Sequence, residues 1–230
     1  MNILALETST EYCSVALWRD GVLSGRCELV GQKHSEQLMP MLDAVLQAAG
    51  VRLTELAGIA FGAGPGSFTG VRIACGVTQG LALGAGLPVT GVCTLLALAE
   101  ACGKDKVVAA LDARMGELYH AAYMRSGSGS GWTTVVEPSL CKAADAPLVE
   151  GEGWFGVGSG FAAHAEALAL RYAGHLSGVD GAAIPQATAI AALAAPLFAA
   201  GQGLDAALAT PFYLRDKVAL TTQERLAAKA

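Results

Sequence analysis

Residues 2–18, "NILALETSTEYCSVALW", and residues 107–123, "VVAALDARMGELYHAAY", superpose at a constant offset of 105. Each copy reads as an apolar strand, an acidic residue, a polar turn and a second apolar strand. Glu7 falls on Asp112, Ala16 on Ala121 and Trp18 on Tyr123. One supersecondary unit used twice predicts two similar lobes.

Outward from the first copy, "RDG" is a hairpin turn and "VLSGRCEL" a third strand. Leu38, Met41, Leu42, Val45, Leu46 and Ala49 then recur at i, i+3, i+4, i+7, i+8 and i+11. That continuous stripe predicts a helix over residues 34–50, loosened in its first turn by Pro40. "LAGIAFG" is a strand, "GPGSFTGVRIACG" leads into a second helix, and "LPVTGV" closes the set. The order strand-strand-strand-helix-strand-helix-strand is that of a ribonuclease-H-like α/β domain. After the second copy, "RSGSGSG" reads as a flexible hairpin tip because strand-like sequence flanks it. "WFGVGSGF", alanine-rich helices from about Phe161 and Gln186, and a tail with "PFYLRDK" follow. The expected fold is therefore α/β, two ribonuclease-H-like lobes. The first covers residues 1–103 and a reduced second lobe covers 104–230, its final helix and tail free to pack back on the first.

Hydrophobic residues make up 53% of the 230-residue chain and charged residues 15%, with a net charge of −5. Such an apolar excess points to an exposed face that meets a partner. The basic residues are scattered, which argues against a stand-alone nucleic-acid footprint. The six cysteines show no CxxC pair or metal-like spacing and lie in apolar stretches, as buried thiols in a reducing cytosol would. "MNILALETST" lacks the basic start and cleavage site of a secretory signal. Residues 73–99 carry no charge, but Gly84, Gly86 and Pro88 divide them into helix, strand and helix rather than a membrane span.

Residues 61–76, "FGAGPGSFTGVRIACG", look like a phosphate loop at first sight. A Walker A loop needs lysine, and none lies between Lys33 and Lys104. A dinucleotide fingerprint fails where Ser67 replaces its third glycine. A glycine turn remains that feeds a helix capped by Ser67 and Thr69, whose N-terminus could still hold an anion. Gly76, Gly80 and Gly84 form a groove on one face of that helix, with the Leu38–Val45 stripe as its natural neighbour. Each surface could equally pack on the domain's own sheet. No HExxH or GxSxG occurs, and the four histidines offer no i, i+4 pair. Glu7 and Asp112 either face each other across a cleft as acid–base or magnesium-holding carboxylates, or cap turns at strand ends. Arg72 reads an anion, anchors an interface, or forms a structural ion pair.

"LALETST", "HSEQLMPML", "GPGSFTGVRI", "LDARMGELY" and "PFYLR" together resemble the TsaB (YeaZ) family over nearly the whole chain. The resemblance implies the actin/Hsp70-like superfamily of paired ribonuclease-H-like lobes. There Glu7 with Thr8, Asp112, and the glycines from Gly156 to Gly160 would be vestiges of an ATP site. It implies a part in making threonylcarbamoyladenosine beside the anticodon of tRNA, in the cytoplasm. The partners implied are the catalytic relative TsaD, which uses threonylcarbamoyl-AMP, and the ATPase TsaE, with tRNA met through the complex. TsaD carries a metal-binding HxxxH pair after a "GV" strand end; "GVCTLLAL" places Thr94 and Leu98 there, and neither ligates iron or zinc. The expected role is thus a non-catalytic subunit without metal or cofactor of its own, any ATP or ADP lying at the junction with TsaD. By the same resemblance the partner surface lies on the first-lobe helices, at His34, Leu38, Met41, Leu42, Val45, Ser67, Phe68, Arg72, Cys75 and Gln79. The isolated chain could also form a homodimer. The competing expectation is an independent ATP-binding enzyme or ATPase of the superfamily. A peptidase is disfavoured by the lack of any metal pair, elbow or Cys–His arrangement.

Overall fold

Alternate residues of the first strand, β1 (Asn2–Glu7), are apolar on both faces, so this strand must lie at the centre of a covered sheet. The computed structural model describes residues 1–127 and 131–215. It places β1 between β2 (Tyr12–Arg19) and β4 (Gly58–Gly64), with β3 (Val22–Leu29) and β5 (Val89–Cys93) at the edges, in the order β3-β2-β1-β4-β5. β1–β2–β3 is an antiparallel meander and β1–β4–β5 is parallel. The second sheet joins β6 (Lys106–Arg114), β7 (Glu117–Arg125), β8 (Trp132–Lys142), β9 (Trp154–Val157) and β10 (Leu176–Asp180). Its order, β8-β7-β6-β9-β10, repeats the first strand for strand, with the same mix of antiparallel and parallel pairs. The actin/Hsp70-like arrangement of two ribonuclease-H-like lobes is thus present as a duplication.

The duplication carries a one-residue slip. Leu4 and Leu6 face α1 (His34–Ala49) and α2 (Phe68–Ala85), whereas Ile3 and Ala5 face α6 (Ala187–Ala199). In β6 it is Val108 and Ala110 that face α4 (Ser159–Ala163) and α5 (Ala165–Arg171). Val107, Ala109 and Leu111 face α3 (Thr94–Cys102). Pairing agrees, since Asn2 opposes Arg19 while Val107 opposes Tyr123. Leu4 therefore matches Val108, and Asp112 matches Thr8 rather than Glu7. The constant offset seen in sequence holds for β2 and β7 but not for β1 and β6.

The last helix of each half packs on the other half's sheet: α3 covers the second sheet and α6 the first, and the two helices touch. The 103/104 boundary falls in the turn between α3 and β6. The second lobe is reduced, since a single 3-10 turn at Ala143–Asp145 stands where the first lobe has the 16-residue α1. Residues 73–99 form α2, β5 and α3, and among the described residues no helix is long and apolar enough to cross a membrane. Residues 128–130 of the expected hairpin tip lie outside the described residues; β7 and β8 pair antiparallel on either side. One cysteine departs from expectation. Cys27 is exposed, because it lies on edge strand β3 instead of in a core.

Candidate functional site

The two lobes face each other across a cleft of about 1310 Å³. Its first wall is the turn Ser9–Glu11 and the start of α2; its second is the turn Leu111–Met115 with Ser159 and Ala162 of α4. Phe212, Tyr213, Leu214 and Arg215 cross its mouth.

The glycine-rich entry to α2 exists to bring this turn close. A Cβ on Gly70 would run into the Thr8 carbonyl, one on Gly62 into the Glu7 carboxyl, and one on Gly66 would lie 2.6 Å from Ser9. Ser67 N donates to Ser9 O at 2.7 Å, and Thr8 Oγ1 donates to Gly70 O at 2.7 Å. The glycines thus let the turn after β1 pack closely against the start of α2. Ser67 is the N-cap, its Oγ accepting from Gly70 N at 3.3 Å.

Glu7 and Asp112 do not face each other, which corrects the first sequence expectation. Because of the one-residue slip, Glu7 continues the Ile3–Ala5 row and turns towards Thr94 at the start of α3. Asp112 continues the Val108–Ala110 row towards α4 and the cleft. Glu7 and Thr8 are buried behind the turn and do not line the cleft. Glu7 Oε1 accepts from Ser9 N at 2.5 Å, and Oε2 finds no partner among the described residues. Burial pushes the Glu7 carboxyl up; hydrogen bonds from Ser9, Thr8 and Thr94 oppose this only in part. Asp112 is held within its own lobe. Its Oδ1 accepts from Arg114 N at 3.0 Å, its Oδ2 pairs with the Arg114 guanidinium at 3.2 Å, and its own N donates to Ser159 Oγ at 3.1 Å. Gly158 and Gly160 are filled in as well, since a Cβ on either would press on the Ala110 backbone.

An acid whose folded pKa lies above its unfolded value stabilises the fold most when protonated. The contribution of Glu7 is then greatest at and below pH 4.5, the unfolded value, and is lost as pH rises through the folded pKa. Glu7→Gln copies the protonated form without its titration. It is expected to remove this decline and to raise the melting temperature at neutral pH, while leaving it nearly unchanged at pH 4. Melting curves of both proteins from pH 4 upwards check this; parallel curves would contradict it.

The expected partner surface needs a larger correction. His34, Leu38, Met41, Leu42 and Val45 are buried, with the four apolar side chains in the core between α1 and the first sheet. Cys75 is buried too, its thiol near Ala209 O. An apolar helical stripe satisfied by its own sheet is unavailable to a partner. Nor does the stripe fill the glycine groove: Gly76, Gly80 and Gly84 are exposed, and a Cβ on any of them would meet none of the described residues within 4 Å. Ser67, Phe68 and Arg72 are exposed as expected, and Gln79 is half-buried, donating to Ala209 O at 3.1 Å. The outward residues of α1 instead include Ser35, Met39 and Asp43, and Leu83 joins the glycines on α2.

The "PFYLR" tail, expected only to pack back on the first lobe, contacts both lobes. Phe212 N donates to Ala63 O at 2.7 Å, and Arg72 Nε donates to Tyr213 OH at 2.7 Å while its guanidinium lies 3.4 Å above the Phe68 ring. At the other end Arg215 donates to Glu117 at 2.6 Å. An aromatic pair followed by arginine after a final helix was the available signal. Thr94 and Leu98 are both buried; Thr94 Oγ1 accepts from Gly64 N at 3.2 Å, and Leu98 packs in the core beneath β6. Among the described residues no three His, Cys, Asp or Glu side chains converge as a metal set.

Comparison with known proteins agrees with this architecture. The family model described as "TsaD: tRNA N6-adenosine threonylcarbamoyltransferase" matches residues 27–222. The tRNA threonylcarbamoyladenosine biosynthesis protein TsaB of Escherichia coli K12 is 42% identical over 231 residues, covering 95% of this chain and 96% of the relative. The protein of the same name in Haemophilus influenzae is 36% identical, covering 95% of each. The solved structure of YeaZ from Pseudomonas aeruginosa superposes with a TM-score of 0.85 at 37% identity, over 93% of this chain and 99% of that one. Matches of this extent, each covering 95% or more of the relative, place the chain in the TsaB (YeaZ) family, within the wider TsaD-like group.

Proposed function

We propose that this chain is a non-catalytic dimerisation and activating subunit in tRNA threonylcarbamoyladenosine formation. It would support a TsaD-type transferase that moves threonylcarbamoyl from its adenylate to adenosine. A TsaE-type ATPase joins the pair, tRNA is met through the complex, and the setting is the cytoplasm. The observation that carries this reading is the pairing of a silent interior with a bare exterior. At the positions where the resemblance puts metal histidines in TsaD stand Thr94 and Leu98, both committed to packing. Asp112 is tied to Arg114, and Glu7 is turned away from the cleft. Meanwhile the outer face of α2 offers glycine at Gly76, Gly80 and Gly84, and among the described residues nothing lies within 4 Å of a Cβ placed there. Small residues in such a row let another helix approach closely.

The second reading is an ATP-binding enzyme, favoured by the size of the interlobe cleft and by Ser67 at the head of α2. In the proposed reading any ATP or ADP lies at the junction with the transferase. Calorimetry of the isolated chain with Mg-ATP separates the two. The expected result is no saturable heat and no turnover; micromolar binding with hydrolysis would overturn the proposal.

A further inference from the structure

The lobes are joined at a hinge and at a mouth. At the hinge α3 packs on the second sheet and α6 on the first, each within a hydrophobic core. At the mouth the Phe212–Arg215 segment crosses the cleft as a strap that belongs to no helix or strand. The facing turns bond within their own lobes: Glu11 O accepts from Val30 N and Gly31 N, and Asp112 from Arg114 N. Phe212 and Tyr213 hold the strap to the first lobe, through Ala63 O and Arg72 Nε. Arg215 holds it to the second, where Nη2 donates to Glu117 Oε2 at 2.6 Å and Nη1 to Met115 Sδ at 3.4 Å. Arg215 Nε is buried and finds no partner among the described residues. A buried donor without an acceptor weakens the hold around it, so the second-lobe end is the one set to release.

The first-lobe hold has a second use. Arg72 and Phe68 stand four and eight residues before Gly76, so they continue the row Gly76, Gly80, Gly84 to the head of α2. All five residues are exposed. The Arg72 guanidinium lies 3.4 Å from the centre of the Phe68 ring and 5.4 Å from that of Tyr213. Phe68 and Tyr213 remain 39% and 44% exposed, so both still have apolar surface to bury. A helix laid along the glycines meets Tyr213 at the head of the row while the strap is in place, and loses that surface once the strap lifts. A partner that gains contact in one state of a chain shifts the chain towards that state.

We propose that the Phe212–Arg215 strap is an interlobe latch, closed by the Arg215–Glu117 ion pair, and that the closed latch completes the docking face of α2. The coupling to docking rests on the heterodimer reading; the latch itself does not. Two measurements on the full chain test it. Spin labels carried by non-canonical ketone side chains at Glu36 and Glu166, exposed on α1 and α5, report the lobe separation by double electron–electron resonance. Wild type is expected to give one narrow distance distribution. Arg215→Glu sets carboxylate against Glu117 and is expected to give a longer, broader one, and Arg215→Glu/Glu117→Arg to return it to that of wild type. Calorimetric titration with the TsaD-type transferase reads the coupling. Arg215→Glu is expected to weaken binding about fivefold or more, and the charge swap to restore it. The Arg215 side chain is 14% exposed and lies beside β7, so such a loss reports coupling rather than a lost contact. Unchanged distances in Arg215→Glu, a charge swap that stays open, or open lobes that bind as wild type does would each overturn the proposal. A wild type that binds no transferase would defeat the heterodimer reading and the coupling with it, while the distances still decide the latch.

Discussion

Leu38→Asp is expected to unfold the first lobe. Leu38 is fully buried in the core between α1 and the first sheet, with Leu4, Leu6 and Leu42 in the same cluster. Truncation to alanine at such a site costs about 2–5 kcal/mol, and an unpaired charge adds a desolvation penalty that a domain with about 5–15 kcal/mol of total stability does not absorb. The neighbouring change Met39→Asp is expected to alter stability by no more than about 0.5 kcal/mol, because Met39 points outward. Circular dichroism melts of the two variants, with Leu38→Ala as the graded control, check the contrast. Equal behaviour of the two aspartates would place the stripe on the surface after all.

Gly80→Leu is expected to move stability and partner binding in opposite directions. In the chain alone, a Cβ at Gly80 meets none of the described residues within 4 Å. Replacing a mid-helix glycine by a good helix former gains about 0.5–1 kcal/mol, so the isolated variant should melt higher. In the proposed heterodimer the same side chain stands where a partner helix approaches. Blocking the centre of an interface costs about 2 kcal/mol or more, a loss of roughly thirtyfold in affinity. Melting and calorimetric titration with the transferase give the two readouts. A variant that melts higher and still binds would remove the glycine face from the interface.

The strand order and the helical stripe were legible because each follows a local period. The β1–β2 and β6–β7 units carry the same apolar-acidic-turn-apolar pattern, and α1 shows an unbroken 3.6-residue repeat. The slip between β1 and β6 was not legible. Both strands are apolar on both faces, so sliding one by a residue leaves the hydrophobic pattern unchanged, and only cross-strand pairing reveals it. That slip sends Glu7 into the interior and Asp112 into the cleft, although they share a place in the sequence pattern. The stripe on α1 failed for a different reason. Periodicity states that Leu38, Met41 and Val45 share a face, but not whether a sheet or a partner covers it. Gly76, Gly80 and Gly84 do form a row, yet the neighbour assigned to them is already occupied. The tail's packing on the first lobe was expected, but the reach of Arg215 to Glu117 in the second lobe was not legible, because the two residues lie far apart in sequence.

The most direct test of the central claim is a stoichiometric reconstitution. Threonylcarbamoyl transfer to tRNA by a TsaD-type transferase, with a TsaE-type ATPase and the threonylcarbamoyl adenylate supplied, is followed as this chain is titrated in. The account predicts no transfer by the chain alone, and a rate that rises with added chain and saturates at one equivalent of the transferase. Transfer by the chain in the absence of the transferase, or a full rate in the absence of the chain, would contradict it.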